Sequence, residues 1–437
     1  MDKKVVKFGG SSLADAAQFR KVADIVKSDP SRRFVVASAP GKRNSADTKV
    51  TDMLYRCYDM AAAGEDFEPQ LAAISERFAG IVAELGLDFP LRREIARIRS
   101  HLHGKLSRDY MASRGEYLNS KILAAYLGYD FYDAAGSIRF TLDGHFLAGE
   151  TAEKLSAALS DFEYAVIPGF YGADSEGNIH TFSRGGSDVT GSLVAQAVGA
   201  DIYENWTDVS GMLVTDPRLV AEPQTIDLLT YRELRELSYM GASVLHEDAV
   251  FPVRKAGIPI NIRNTNRPGD AGTMIVPTPP EGSRTRTVTG IAGRKGFTSI
   301  HVEKSMMNGE VGFGVRLLQI FADHGIPFEH CPTGIDTMSA VVGSAAFHGV
   351  EEAVMADIER ILQPDHIEVE DGLAMIAVVG RGMVAARGTA ARIFRTLADA
   401  GINIRMIDQG SSELNIIVGV EEADYEAAVQ AIYREFR

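Results

Sequence analysis

Over its first two-thirds the chain alternates short apolar runs with stretches whose apolar residues recur at helical spacing. Residues 5–8, 34–38, 131–133, 164–168, 202–206 and 258–263 read as strands, and residues 16–27 and 121–127 between them read as helices. Strands and helices in alternation predict a mainly parallel sheet covered on both faces. The stretch from about 65 to 112 breaks the rhythm. It is rich in Arg, Glu, Leu and Ile and predicts a helical insertion. The run Pro277-Thr278-Pro279-Pro280-Glu281-Gly282-Ser283 predicts a boundary.

Beyond it the pattern changes to an internal near-repeat. The first copy reads strand 298–303, helix 312–324, strands 327–332 and 337–343, helix 350–362 and strand 366–369. The second reads strand 373–379, helix 386–400, strands 402–408 and 413–420, and helix 423–436. Ala322-Asp323-His324-Gly325-Ile326 and Ala398-Asp399-Ala400-Gly401-Ile402 occupy the same place in each. The second copy has no fourth strand after its last helix, which would leave an open sheet edge. A spare strand at 288–292 has the composition to fill it.

Composition narrows the function classes. With 437 residues and 45% hydrophobic content, two to four domains with ample core are expected. A net charge of −14 with no offsetting basic block argues against nucleic acid as a partner. Cys57 and Cys331 stand alone, without metal-site or disulfide spacing, which fits a reducing cytoplasm. No apolar run reaches the roughly 18 residues of a membrane span. His101, His103 and His246 lack a zinc-ligand spacing.

The candidate chemistry begins at Val5-Val6-Lys7-Phe8-Gly9-Gly10-Ser11-Ser12. A strand running into two glycines and then a helix lets backbone N–H groups approach a phosphate. The P-loop signature is absent, so the site is of another kind. A second Gly-Gly turn, Arg184-Gly185-Gly186-Ser187-Asp188, precedes another helix. Between them, Ser38 closes a strand, Thr51-Asp52 opens a helix, and Arg114-Gly115-Glu116 forms a turn before a helix. Phosphoryl transfer needs cations against developing charge and rigid positioning. Lys7 suits the first need, Asp188 the arrangement of metal and phosphates. Glu116 can take an ammonium and Arg184 a carboxylate.

Those blocks resemble the signature blocks of aspartate kinases, members of the amino acid kinase superfamily, and the C-terminal repeat resembles paired ACT domains. The second repeat adds Gly401-Ile402-Asn403-Ile404 and Gln409-Gly410-Ser411-Ser412-Glu413-Leu414-Asn415-Ile416 to the likeness. The resemblance implies a three-layer α/β/α kinase domain over 1–285. It implies two ferredoxin-like ACT domains over 286–371 and 372–437, with strand 288–292 lent to the second. It implies phosphoryl transfer from ATP to L-aspartate, the first step toward lysine, threonine and methionine, with feedback regulation. Lys7 and Asp188 resemble the catalytic pair, and Gly9, Gly10 and Ser11 the phosphate loop. Thr207, Asp208 and Arg218 resemble nucleotide contacts. Thr51, Glu116 and Arg184, with Ser38 and Ser187, resemble the aspartate-binding set. The cofactors implied are ATP and Mg2+, the metal held mainly by ATP. Effector contacts fall on Met307, Asn308, Gly309, Phe313, Glu329 and Thr333. Glu329 favours lysine over threonine, and ACT pairing implies a homodimer or tetramer.

Three positions depart from the family pattern. The segment 41–50 is longer than usual, Ser243 stands where a lysine often precedes Val-Leu-His, and Leu213 replaces an aromatic. Gly380-Arg381-Gly382-Met383-Val384-Ala385 matches a dinucleotide fingerprint, but a βαββα unit of about 65 residues is not a run of βαβ crossovers. Two alternatives stay open: a glutamate 5-kinase-like enzyme, and an amino-acid sensor with an inactive kinase domain.

Overall fold

A computed structural model describes every residue except Met1, Lys105, Leu106, Arg184, Ser243, Val244, His246 and Arg284. The chain forms two compact units. The first takes Met1–Met212, Thr225–Tyr231 and Val244–Pro280, and the second takes Leu213–Gln224, Arg232–Ser243 and Glu281–Arg437.

The first unit is built on strands β1 (Lys4–Phe8), β2 (Arg32–Ala37), β3 (Asp130–Phe131), β4 (Ala165–Pro168), β5 (Tyr171–Ala173), β6 (Ile179–Thr181), β7 (Ile202–Thr207), β8 (Leu228–Thr230), β9 (Ile260–Asn264) and β10 (Thr273–Val276). Eight of these form one sheet in the order β3-β4-β2-β1-β7-β9-β10-β8, while β5 and β6 make a separate hairpin. The six strands from β3 to β9 run parallel, and β10 turns antiparallel to β9. Phe8 lies level with Ala37 on one side and Trp206 on the other, and Ala37 with Pro168. The C-terminal ends of β1, β2, β4 and β7 therefore open at one edge, where parallel sheets bind ligands.

Helices α1 (Ala16–Lys27), α2 (Val50–Ala62), α3 (Glu68–Glu84), α4 (Leu91–His103), α5 (Arg108–Leu127), α6 (Ala148–Leu159) and α7 (Gly186–Val198) follow in chain order, then α8 (Tyr231–Tyr239) and α9 (Glu247–Ala256). The helical insertion is present as α3, α4 and the start of α5. It shares one apolar core with β1, β2 and α1 through Leu71, Phe78, Ile95, Met111, Phe19 and Phe8. One expectation is corrected here. Arg114-Gly115-Glu116 is not a turn but lies in the middle of α5. That helix is buried on nearly every side, so it carries no single apolar stripe from which its length could be read.

The second unit holds β11 (Gly290–Glu303), α10 (Phe313–Asp323), β12 (Phe328–His330), β13 (Thr337–Gly343), α11 (Ser344–Phe347), α12 (Glu351–Leu362), β14 (His366–Val379), α13 (Thr389–Asp399), β15 (Met406–Asp408), β16 (Asn415–Glu421) and α14 (Tyr425–Phe436). One six-stranded sheet, β12-β13-β11-β14-β16-β15, serves both repeats. Phe297–Glu303 of β11 pairs with β13. Gly290–Lys295 of the same strand pairs with the last residues of β14, from Gly290↔Val379 to Lys295↔Ala374. Each half-sheet therefore has the four antiparallel strands of a ferredoxin-like ACT fold, and the two are nested through the two long strands. The unit also draws in two segments from before residue 285. Ile291 N–H donates to the Val214 carbonyl at 2.7 Å. Glu233 of α8 is fully buried and accepts from Arg381 at 2.9 Å and Thr289 at 2.6 Å. No helix among the described residues is long and apolar enough to cross a membrane.

Candidate active site

Lys7 is the penultimate residue of β1, and its ammonium lies 2.6 Å from Asp188 Oδ1. Both side chains are largely buried. Asn205 of β7 donates to the same Oδ1 at 2.7 Å. Sequence reasoning missed Asn205, although a polar residue inside a buried central strand was a signal. Asp188 is placed by the first turn of α7, which starts after Gly185 in the left-handed region at φ 57°. The pair thus joins a strand end to a helix start, residues 181 positions apart in sequence.

The phosphate turn sits beside it. Gly9 N–H donates to the Trp206 carbonyl at 3.0 Å, and the residues Gly10–Leu13 form one 3₁₀ turn. Gly10 is required by contact rather than by torsion: a Cβ there would lie 2.9 Å from the Ala39 carbonyl oxygen. Ser11 is exposed at the mouth, whereas Ser12 is buried against Thr265 at 2.7 Å.

The aspartate-binding candidates gather around the end of β2. Ser38 follows β2, and its carbonyl accepts from Asn119 of α5 at 2.7 Å. Glu116 lies one turn earlier on that helix and is 5% exposed. Burial pushes its carboxyl up to about 8, against the opposing pull of the Ala39 amide and the Arg114 guanidinium. Its Oε2 has no hydrogen-bond partner. Gly115 lets α5 approach: a Cβ there would meet Ala39 Cβ at 2.7 Å and Leu54 Cδ1 at 3.3 Å. The latter contact sets α2, and with it half-buried Thr51, against the same loop. Ser187 is buried behind Gly169, where a Cβ would meet Ser187 Cβ at 2.6 Å. Gly169 N–H in turn donates to Ala37 at the end of β2.

The site therefore brings together Lys7, Gly9, Gly10, Ser38, Thr51, Glu116, Ser187 and Asp188. A strand-end phosphate turn, a buried cation–carboxylate pair and a buried carboxyl with one unpartnered oxygen together suit transfer of a phosphoryl group to a small amino acid. The amino acid kinase family model matches residues 2–264, and an ACT domain model matches residues 376–436. Aspartokinase 3 of Bacillus subtilis is 43% identical over 452 residues, which span 99% of this chain and 98% of that protein.

The chain belongs to the aspartate kinase family.

Among aspartate kinases of known structure, that of Clostridium acetobutylicum is 47% identical, covers 100% of both chains and superposes with a TM-score of 0.88. Escherichia coli aspartokinase III in complex with aspartate and ADP, the R-state, is 26% identical over 99% of both chains, with a TM-score of 0.75. The same enzyme with lysine and aspartate, the T-state, is 27% identical over 100% of both chains, with a TM-score of 0.71.

The remaining aspartate kinase assignments separate by unit. Thr207 and Asp208 stand at the C-terminal end of β7, and the Thr207 hydroxyl donates to Asp208 at 3.2 Å. Arg218 belongs to the second unit, where its exposed guanidinium is held by Asp216. Arg184 and Ser243 lie outside the described residues. Among the effector candidates, Met307 and Phe313 are core residues of the first ACT half, while Asn308, Gly309 and Thr333 are exposed. Glu329 corrects the expectation that it stands ready for a cationic amine. Arg294 already donates to its carboxylate at 2.8 Å, and the Tyr239 hydroxyl donates to the other oxygen.

Proposed function

We propose that this site transfers the terminal phosphoryl group of ATP to the side-chain carboxylate of L-aspartate, giving 4-phospho-L-aspartate and ADP. The observation that carries the reading is the buried Lys7–Asp188–Asn205 cluster, together with the buried carboxyl of Glu116, whose Oε2 has no hydrogen-bond partner. A carboxylate oxygen of aspartate forms the new bond to phosphorus as the bond to the ADP oxygen breaks. No base is needed, because the nucleophile is already an anion. Lys7 meets the charge of the transferring group, while Asp188, itself held by Asn205, keeps its ammonium in line. Glu116 takes the α-ammonium of aspartate. Ser38, Thr51, Ser187 and Arg184 serve its α-carboxylate and side chain.

The donor set fits magnesium that arrives with the nucleotide. Asp188 offers a single carboxylate beside the phosphate turn. Magnesium supplies charge neutralisation on the phosphates when bound.

Regulation by lysine through the ACT pair is part of the same reading, since the E. coli relative is known with lysine in its T-state. The exposed loop of Asn308 and Gly309 would meet the effector more readily than Glu329, whose carboxylate is engaged by Arg294. An assay of ADP release tests both parts. Aspartate should support turnover and glutamate should not, and millimolar lysine should lower the rate. Turnover with glutamate alone would replace aspartate as substrate, and a rate indifferent to lysine would remove the effector assignment.

A further inference from the structure

We propose that Arg77, on the helical insertion, is a positioning residue for phosphoryl transfer, tying the phosphate turn and the loop before Thr51 into one body. The inference rests on the reading of the site given above.

Arg77 lies on the stripe of α3 that also buries Leu71, Ile74, Phe78 and Ile81. An apolar residue there would avoid the desolvation cost of a guanidinium whose side chain is only 5% exposed. The fork is spent on two backbone carbonyls and one carboxylate from three separate segments. Nη2 donates to the Ala14 carbonyl at 3.1 Å, just after the phosphate turn, and to the Gly41 carbonyl at 2.7 Å. Nη1 donates to Asp47 Oδ2 at 2.8 Å, in the middle of the long 41–50 segment.

The pieces it clips already touch. Gly41 N–H donates to the Gly10 carbonyl at 2.8 Å, and a Cβ on Gly41 would lie 2.6 Å from the Gly10 carbonyl carbon. Asp47 is gripped a second time by Arg43, at 2.8 and 3.0 Å through its side chain and at 2.9 Å through its N–H. The loop closes where Val50 N–H donates to the Pro40 carbonyl at 3.1 Å, and Thr51 is the next residue. A longer loop loses more entropy on closure, so a tie at its midpoint matters more. A lysine donates from a single nitrogen, whereas the guanidinium reaches these acceptors from two nitrogens held apart in a rigid plane.

The test compares the full-length wild type with Arg77→Met, Arg77→Lys and Asp47→Asn, assayed below their unfolding midpoints. Small misplacement of reacting groups is costly, so Arg77→Met should lower kcat at least about tenfold and raise KM for aspartate about fivefold. KM for ATP should move less than KM for aspartate. Arg77→Lys should not restore either value. Asp47→Asn weakens the Arg77 tie at the loop toward Thr51 and leaves the Ala14 and Gly41 carbonyl contacts in place, so it should raise KM for aspartate while leaving kcat within about twofold. In Arg77→Met, amides of 10–14 and 41–50 should exchange with solvent faster, and those of β1 should not. A variant Arg77→Met with kcat and aspartate KM within twofold of wild type overturns the proposal, as does an equal rise in both KM values. Unchanged exchange in 41–50 overturns it as well. If the wild type releases no ADP in response to aspartate, the functional reading fails instead, and the exchange measurement still decides whether Arg77 ties the loops.

Discussion

At the scale of single residues, Glu116 carries the sharpest chemical consequence. Its carboxyl, pushed up to about 8 by burial, is largely neutral in the free site at pH 7. An ammonium favours the charged form, so binding aspartate releases a proton. KM for aspartate should therefore fall as pH rises from about 6.5 to 8 and level off above that, and Glu116→Gln should flatten the profile. Steady-state kinetics across that range checks it, and a pH-independent KM in the wild type would remove Glu116 from the ammonium site. Stability should run the other way. The raised carboxyl contributes stability that is fully present below the usual 4.5 and lost as pH rises toward 8. Lys7, Asp188 and Glu116 were legible because glycine turns and charged residues punctuate an otherwise apolar pattern. Asn205 was not, since nothing in the local sequence says which buried polar residue meets a carboxylate 17 positions away.

At the scale of elements, α5 shows why some of the structure could not be read. A helix apolar on one face announces itself, but one buried all round does not, and so its centre passed for a turn. Its Gly115 is held by Ala39 Cβ, 2.7 Å from where a methyl would sit. Gly115→Ala should cost about 2 kcal/mol through overpacking despite alanine's better helix propensity, and should raise KM for aspartate. Gly80, exposed on α3 with nothing within 4 Å, should respond oppositely: Gly80→Ala should stabilise by about 0.5–1 kcal/mol. Denaturant midpoints of the two variants decide this, and a shift of the same sign in both would contradict it. The short strands β5, β6, β8 and β10, of three or four residues each, were missed because such runs hold too few positions to show alternation.

At the scale of the whole molecule, the composition break at 277–283 was plain, yet the units are not divided there alone. Segments Leu213–Gln224 and Arg232–Ser243 precede the break and belong with the ACT sheet. The reason is long-range and polar: fully buried Glu233 is matched by Arg381, whose loop looked like a nucleotide fingerprint. That loop is a receptor for a carboxylate rather than for a dinucleotide. Removing the guanidinium takes away an ionic partner of a fully buried carboxylate, so Arg381→Met should destabilise the second unit by about 3 kcal/mol. Unfolding followed by hydrogen exchange in β14 and β16 would show it, and an unchanged midpoint would mean that the pair adds nothing.

The central claim, that Lys7 and Asp188 run phosphoryl transfer to aspartate, is tested most directly by trapping the product. Acyl phosphates react with hydroxylamine to give hydroxamates, so wild-type enzyme with ATP, magnesium and aspartate should yield aspartyl hydroxamate in step with ADP. Lys7→Ala and Asp188→Ala, correctly folded, should each yield it at least about 10²-fold more slowly, the loss of roughly 3 kcal/mol expected where a charged group acts on the transition state. Hydroxamate formed by either variant within about threefold of the wild-type rate, or none formed by the wild type, would contradict the account.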